Sequence, residues 1–282
     1  MADSNQTFDL GVAGGGPAGL EAARVAAERG HRVTLSEAGP ELGGQFRLAG
    51  LQPCRAQITD LIAWYGRQLQ RLGVSVGFNT WMEADEIAAV GADVVILATG
   101  SLPPETGFQK ALPQVAELPG IGLGSVWSTE DVMGRAARLG KRVIVLDEGG
   151  HWKGVGTAWH LAEAGHEVTI VTPDAMIARD LQRSATDFPA RQTLAGLGVR
   201  FVTESAITGW SAQGARCVSL LTGEQSAITA DSLVLATGNR CDTALLEDLR
   251  HRGIDVRPVG DAAAPRLAAA AIHDGRLCAL TL

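Results

Sequence analysis

The sequence predicts an α/β protein made of two units of the β-α-β kind, the second inserted into the first. Three observations carry that class. A glycine-rich turn joins a strand to a helix within residues 8–37. A second β-α-β pattern runs over 141–171. A strand ending in Ala-Thr-Gly at 93–100 returns at 231–238.

The first unit opens with FDLGVAGGGPAGLEAARVAAERGHRVTLSE, in which Gly14, Gly16 and Gly19 fit G-x-G-x-x-G. The spacing predicts a helix over 19–29, a strand over 32–36, and then the acid Glu37, 23 residues after Gly14. Gly14 permits the tight turn, Gly16 lets backbone approach a pyrophosphate, and Gly19 lets the helix pack on the strand. Free N–H groups at the helix N-terminus favour phosphate. A carboxylate at Glu37 accepts from ribose hydroxyls and repels a 2′-phosphate. Gly14, Gly16, Pro17, Ala18, Gly19, Glu37 and Ala38 are therefore the expected site for an ADP-containing cofactor.

Further along, the AGPELGGQFRLAG stretch reads as a loop near that turn. Apolar spacing at Ile58, Leu61, Ile62, Tyr65 and Leu69 predicts a helix over 56–72. Strands are expected over 74–79 and 93–97. The two Ala-Thr-Gly turns read as crossings between domains, which places the first domain at 1–104 plus 231–282 and the insert at 105–230. Four prolines, Pro103, Pro104, Pro113 and Pro119, suit an irregular crossover. Within the insert a strand over 142–146, a helix over 156–164 and a strand over 167–171 are expected. Near the end, Gly260-Asp261 closes a strand, and Pro265 is expected to start a final helix, with Asp261 as a cap.

Composition excludes several classes. The chain has 282 residues, 46% of them hydrophobic, 35 glycines and a net charge of −7. The absence of a long basic run argues against a nucleic-acid surface. No apolar run reaches the roughly 18 residues of a membrane span. The opening MADSNQT lacks the features of a signal peptide, so a cytoplasmic protein is expected. The four cysteines, Cys54, Cys217, Cys241 and Cys278, stand singly without C-x-x-C, so neither a dithiol pair nor a metal or iron–sulfur site is expected. No Ser–His–Asp set or carboxylate pair supports hydrolysis. Redox chemistry must then belong to a bound organic cofactor.

VAGGGPAGLEAA, SEAGPELGGQF, the two ATG turns, AGHEVTIVTP and VGDAAAPRLAAAA together resemble a known module. It is the C-terminal nucleotide-binding part of the trimethylamine dehydrogenase and 2,4-dienoyl-CoA reductase family, old-yellow-enzyme relatives with a flavin barrel. The resemblance covers essentially the whole chain. It implies a glutathione-reductase-type fold of two Rossmann-like domains. It also implies FAD in the first domain, and it adds Gly44, Gln45, Ala98, Thr99, Gly100, Gly260 and Asp261 to the expected site. Asp261 would lie near the ribityl-phosphate part of FAD.

Two departures from the family shape the functional expectation. The FMN barrel and the cluster-binding cysteines do not occur in this chain, so a partner subunit carrying FMN and an iron–sulfur cluster is expected, unless the chain is a fragment. In the insert, the second fingerprint reads Asp147-Glu148-Gly149-Gly150-His151-Trp152-Lys153-Gly154. Asp147 takes the first-glycine place and His151 the second, in a turn about two residues longer than usual. NAD(P)H binding there is not expected. The alternative is that Gly149, Gly154 and Gly156 cradle phosphate in altered geometry with help from Lys153. His151 and Trp152 are expected to serve a domain or subunit interface.

The expected function is an FAD-containing electron-transfer subunit of an amine (N-methyl) dehydrogenase or demethylase, passing electrons to a carrier such as an electron-transfer flavoprotein. The first alternative is a structural ADP-binding module, since trimethylamine dehydrogenase holds ADP at the equivalent place. The second is an NAD(P)H-dependent flavin reductase.

Overall fold

The computed structural model describes residues 7–241 and 243–282. The chain divides into two compact units. The first comprises residues through Gly50, Ala56–Leu102 and Asn239–Leu282; the second comprises Leu51–Arg55 and Pro103–Gly238.

The first unit is built on a five-stranded parallel sheet, in the order Val256–Pro258, Val94–Leu97, Asp9–Ala13, Arg32–Ser36, Ser75–Gly77. Alternation along the strands divides its apolar residues between two faces. Leu10, Val12, Val94 and Ile96 meet Leu20, Ala22, Ala23, Ala26, Tyr65, Leu69 and Ala271 on one face. Ala13, Val95 and Leu97 meet Ile87, Leu246 and Leu249 on the other. Strands covered on both faces need continuous apolar runs, and Val94–Leu97 is buried at every position.

The helix Pro17–Glu28 lies at the centre of the first face. Its small residues admit the last helix, Ala268–Leu280, at backbone distance: a Cβ on Gly275 would stand 2.1 Å from the Ala18 carbonyl oxygen. Glu21 and Arg24 are buried on this helix and pair through two 2.8 Å hydrogen bonds, while the Tyr65 hydroxyl donates to Glu21. Burial by itself would raise the Glu21 carboxyl; Arg24, Tyr65 and Arg276 outweigh it and hold the group below its ordinary value.

The second unit repeats the arrangement. Its parallel sheet runs Val126–Ser128, Ser232–Ala236, Arg142–Asp147, Glu167–Val171, Arg200–Val202. A three-stranded antiparallel sheet, Ser205–Ser211, Gly214–Ser219 and Gln225–Thr229, covers one face, with Ile207, Trp210 and Ile228 against Ile144, Leu146 and Leu233.

The return point at residue 231 is corrected. Ser232–Ala236 pairs with Val126–Ser128 on one side and Arg142–Asp147 on the other, so it belongs to the second sheet, and the first unit resumes at Asn239. The repeat therefore marks equivalent strands of two equivalent sheets, each beside the central strand of its own unit. The short segment Leu51–Arg55, unmarked by composition, also falls in the second unit. Three other expectations shift. The stretch after Glu37 contains a short helix, Gly44–Gly50, and the strand expected over 74–79 spans only Ser75–Gly77. The last helix starts at Ala268 rather than Pro265, because the Arg266 N–H is taken by Asp261 and Leu267 enters in extended conformation. Among the described residues, no helix is long and apolar enough to cross a membrane.

The helix contact gives a sign test. Replacing a helical glycine by alanine ordinarily gains up to about 1 kcal/mol. Gly66→Ala, where the new Cβ meets nothing closer than 3.9 Å, should show that gain. Gly275→Ala should instead cost about 1–3 kcal/mol, because the last helix must move off Ala18. Urea unfolding midpoints of the two variants check the opposite signs.

Candidate functional site

The carboxyl ends of the first sheet form a row that follows the strand order. Gly14 leaves the central strand with φ +108°, and its N–H donates to the Ser36 carbonyl at 2.8 Å. A Cβ here would stand 2.2 Å from the Ala98 carbonyl oxygen. One on Gly19 would stand 2.0 Å from the Gly14 carbonyl oxygen. Both glycines are thus demanded by backbone contact. Gly16 differs: a Cβ there would meet nothing within 4 Å, so its open face is available to a ligand. No side chain caps the helix that Gly16 introduces with Pro17 and Ala18.

Glu37 stands beside this opening. Its two carboxylate oxygens accept from Gly15 N–H at 2.8 Å and Gly39 N–H at 2.7 Å. Those bonds fix the carboxylate and leave each oxygen a further lone pair. Ala38 is exposed next to it. The Gly43 N–H donates to the Gly15 carbonyl at 2.8 Å, which draws Gly44 to the Gly16 backbone; Gln45 follows in the short helix.

Toward the other end of the row, Ala98, Thr99 and Gly100 turn out of their strand, with Gly100 at φ +84°. Gly260, at φ +60°, lies against Ala18, and Asp261 follows. Asp261 does not cap the last helix. One oxygen accepts from Arg266 N–H at 3.0 Å and the other from the Ser101 hydroxyl at 2.8 Å. The Asn239 amide reaches both Ser101 Oγ and Gln45 Oε1, each at 3.1 Å, and Gln45 donates to the Ser101 carbonyl. The expected residues thus gather along one sheet edge. Ser101 and Asn239 join them unannounced. The available signal was their place, since each directly follows an Ala-Thr-Gly turn.

The equivalent place in the second unit is filled by its own side chains. Asp147 is 1% exposed, and one of its oxygens accepts from Gly149 and Gly150 N–H at 3.1 Å each. His151 Nδ1 accepts from Lys153 N–H at 3.1 Å, so it caps a helix that begins at Trp152, four residues earlier than expected. The Lys153 ammonium pairs with Glu130 at 3.2 Å. The Cβ positions of the three glycines in the alternative cradle are occupied by neighbouring side chains. A Cβ would stand 2.7 Å from the His151 ring at Gly149, 2.4 Å from Asp147 at Gly154 and 2.4 Å from Gln52 at Gly156. Asp147, His151 and Lys153 are thus engaged within the unit, in contrast to the uncapped turn at Gly16.

These geometries bear on what the chain is similar to. A family model for pyridine nucleotide-disulphide oxidoreductases matches residues 8–262. The chain belongs to that family. It is a flavoprotein-type oxidoreductase domain, related to amine and methylamine dehydrogenases and demethylases. N,N-dimethylglycine/sarcosine dehydrogenase of Chromohalobacter salexigens is 34% identical over 95% of this chain and 43% of its own length. An NADH oxidase of Thermoanaerobacter brockii is 37% identical over 89% of this chain and 37% of its own. The structure of histamine dehydrogenase from Rhizobium sp. 4-9 superposes with TM-score 0.93 at 28% identity, covering all of this chain and 45% of that one. The chain therefore spans less than half the length of these relatives. All four cysteines are free.

Asp147 gives this arrangement a pH signature. Burial, with smaller contributions from Asp174 and Glu148, pushes its carboxyl up to about 7. The folded state then holds a proton that the unfolded chain, with an ordinary value near 3.8, has released. Stability should fall as pH rises from about 4 to about 7 and level off above. Asp147→Asn keeps an oxygen for Gly149 and Gly150 and removes the titration. Urea unfolding at pH 4.5 and 7.5 should show that loss shrinking in the variant.

Proposed function

We propose that the first unit binds FAD and that the chain is the electron-transfer module of an amine (N-methyl) dehydrogenase or demethylase. The carrying observation is the contrast between the two turns. One is open at Gly16, uncapped, and flanked by a fixed carboxylate. The other is closed by Asp147 and His151. The dinucleotide then has one place to go.

In that place the Ala18 and Gly19 end of the helix faces the pyrophosphate, and Glu37 accepts from the adenosine ribose hydroxyls. Gly44 and Gln45 close over the turn, Ala98, Thr99 and Gly100 line the middle, and Gly260 and Asp261 receive the far half of the ligand. Bound FAD supplies the redox chemistry; the protein supplies binding, orientation and electrostatics. The substrate-oxidising site belongs to a barrel carrying FMN and an iron–sulfur cluster, on a partner subunit or on an adjoining part of a longer chain, and an electron-transfer flavoprotein is a fitting acceptor. The amine dehydrogenases among the relatives support this reading, as does their greater length.

The NADH oxidase among the relatives favours a second reading, direct reduction by NAD(P)H. The closed second turn opposes it. A third reading, structural ADP, uses the same first turn and differs only at its far end.

Extraction of nucleotide from the purified protein followed by mass spectrometry should release FAD; ADP alone would leave the structural reading. NADH or NADPH added without oxygen should leave the flavin absorbance unbleached, and rapid bleaching would restore the reductase. Glu37→Gln replaces one acceptor oxygen by an amide that faces a backbone N–H. It should weaken FAD about tenfold, as expected for a hydrogen bond to a charged group, when measured by flavin fluorescence titration.

A further inference from the structure

We propose that Ser101 and Asn239 are positioning residues that make the first site select an extended dinucleotide over ADP. The proposal rests on the FAD reading above and adds what its far end uses for recognition.

Direction comes from the sheet. Glu37 follows the strand Arg32–Ser36, the Gly14–Gly16 turn follows the next strand, Gly100 and Ser101 follow the third, and Asp261 follows the outermost. From Glu37's strand to Asp261's strand is three spacings, about 14 Å. A nucleotide with its ribose at Glu37 and its phosphates at Gly16 has used one of these three spacings. Anything bonded beyond the phosphates runs toward Ser101 and Asp261, which ADP leaves unvisited.

The polar groups there form one chain with a defined sense. The Asn239 amide donates to Ser101 Oγ at 3.1 Å, so that hydroxyl is left to donate, and its partner is Asp261 at 2.8 Å. The Arg266 N–H holds the second oxygen of Asp261 at 3.0 Å. The same Asn239 amide donates to Gln45 Oε1 at 3.1 Å, and Gln45 donates to the Ser101 carbonyl. Ser101 is 5% exposed, Asp261 and Asn239 are half-buried, and Gln45 is at the surface. A buried hydroxyl thus helps fix a carboxylate that retains further acceptor capacity, while an exposed amide is braced beside it. Groups of this kind recognise hydroxyls along a polyol chain, because a carboxylate accepts from them and an amide both donates and accepts.

Ser101 and Asn239 hold equivalent positions after the two Ala-Thr-Gly turns, and the short antiparallel pairing of Arg240–Cys241 with Ser101–Leu102 brings them together. The repeated motif thereby acquires a use within the first unit.

The experiment compares FAD and ADP affinities of the full chain, freed of nucleotide, for wild type, Ser101→Ala, Ser101→Thr and Asn239→Ala, by isothermal titration. Ser101→Ala should lower FAD affinity about tenfold, as for a lost hydrogen bond to a charged group, and leave ADP affinity unchanged. Ser101→Thr, which keeps the hydroxyl, should restore most of the loss. Asn239→Ala should fall between the two. Unchanged ADP affinity also shows that each variant is folded. If FAD and ADP affinities fall in parallel, or if Ser101→Ala binds FAD as wild type does, positioning is overturned while the FAD site stands. If wild type takes ADP and no FAD, the FAD reading itself falls and the proposal with it.

Discussion

Contact between bare backbones at Gly14 governs the first unit. Its turn rests on the Ala98 carbonyl, and the following helix rests on the Gly14 carbonyl through Gly19. Two strands and a helix are locked there at separations that admit no Cβ. Three site residues take their places beside that lock: Glu37 through Gly15, Gly44 through Gly43, Asp261 through Gly260 against Ala18. Glycine in such places loses more chain entropy on folding than other residues. Continuous burial of Val94–Leu97 and its neighbours offsets that cost, at about 1.5–3 kcal/mol for each large apolar side chain.

Both units pose the same electrostatic problem, since a helix N-terminus and a row of turn N–H groups favour an anion or another acceptor. The first unit leaves those groups without a side-chain cap. The second answers with Asp147 and with a neutral imidazole, His151, whose titration burial displaces downward. A buried carboxyl that sits near Asp174 keeps its proton more readily than a phosphate would. The second turn is therefore filled with less charge than a pyrophosphate would bring.

Much of this was legible in the sequence. Period, glycine spacing and the acid after the second strand specify the first β-α-β unit, because each is imposed by local backbone geometry. The duplicated Ala-Thr-Gly was visible, but its meaning was not. A strand's sheet is decided by long-range pairing, and Ser232–Ala236 carries the same apolar run that either sheet would bury. Asp147 and His151 were recognisable as misfits in a fingerprint. That they occupy the space themselves needed three dimensions, since Gln52, which closes Gly156, comes from a segment about a hundred residues upstream. Ser101 and Asn239 were overlooked for a similar reason: serine or asparagine after a glycine turn is ordinary until the two are seen to meet.

The filled second turn also separates the two units in their dependence on small molecules. A site that only a ligand can complete draws stability from it, about 2.7 kcal/mol when free ligand stands at a hundred times its dissociation constant. A turn completed by its own aspartate draws none. On the proposed reading, the first unit gains stability when its nucleotide binds, while the second reaches its packing without one. Cofactor supply would then set how much of the chain survives as well as how much of it is active.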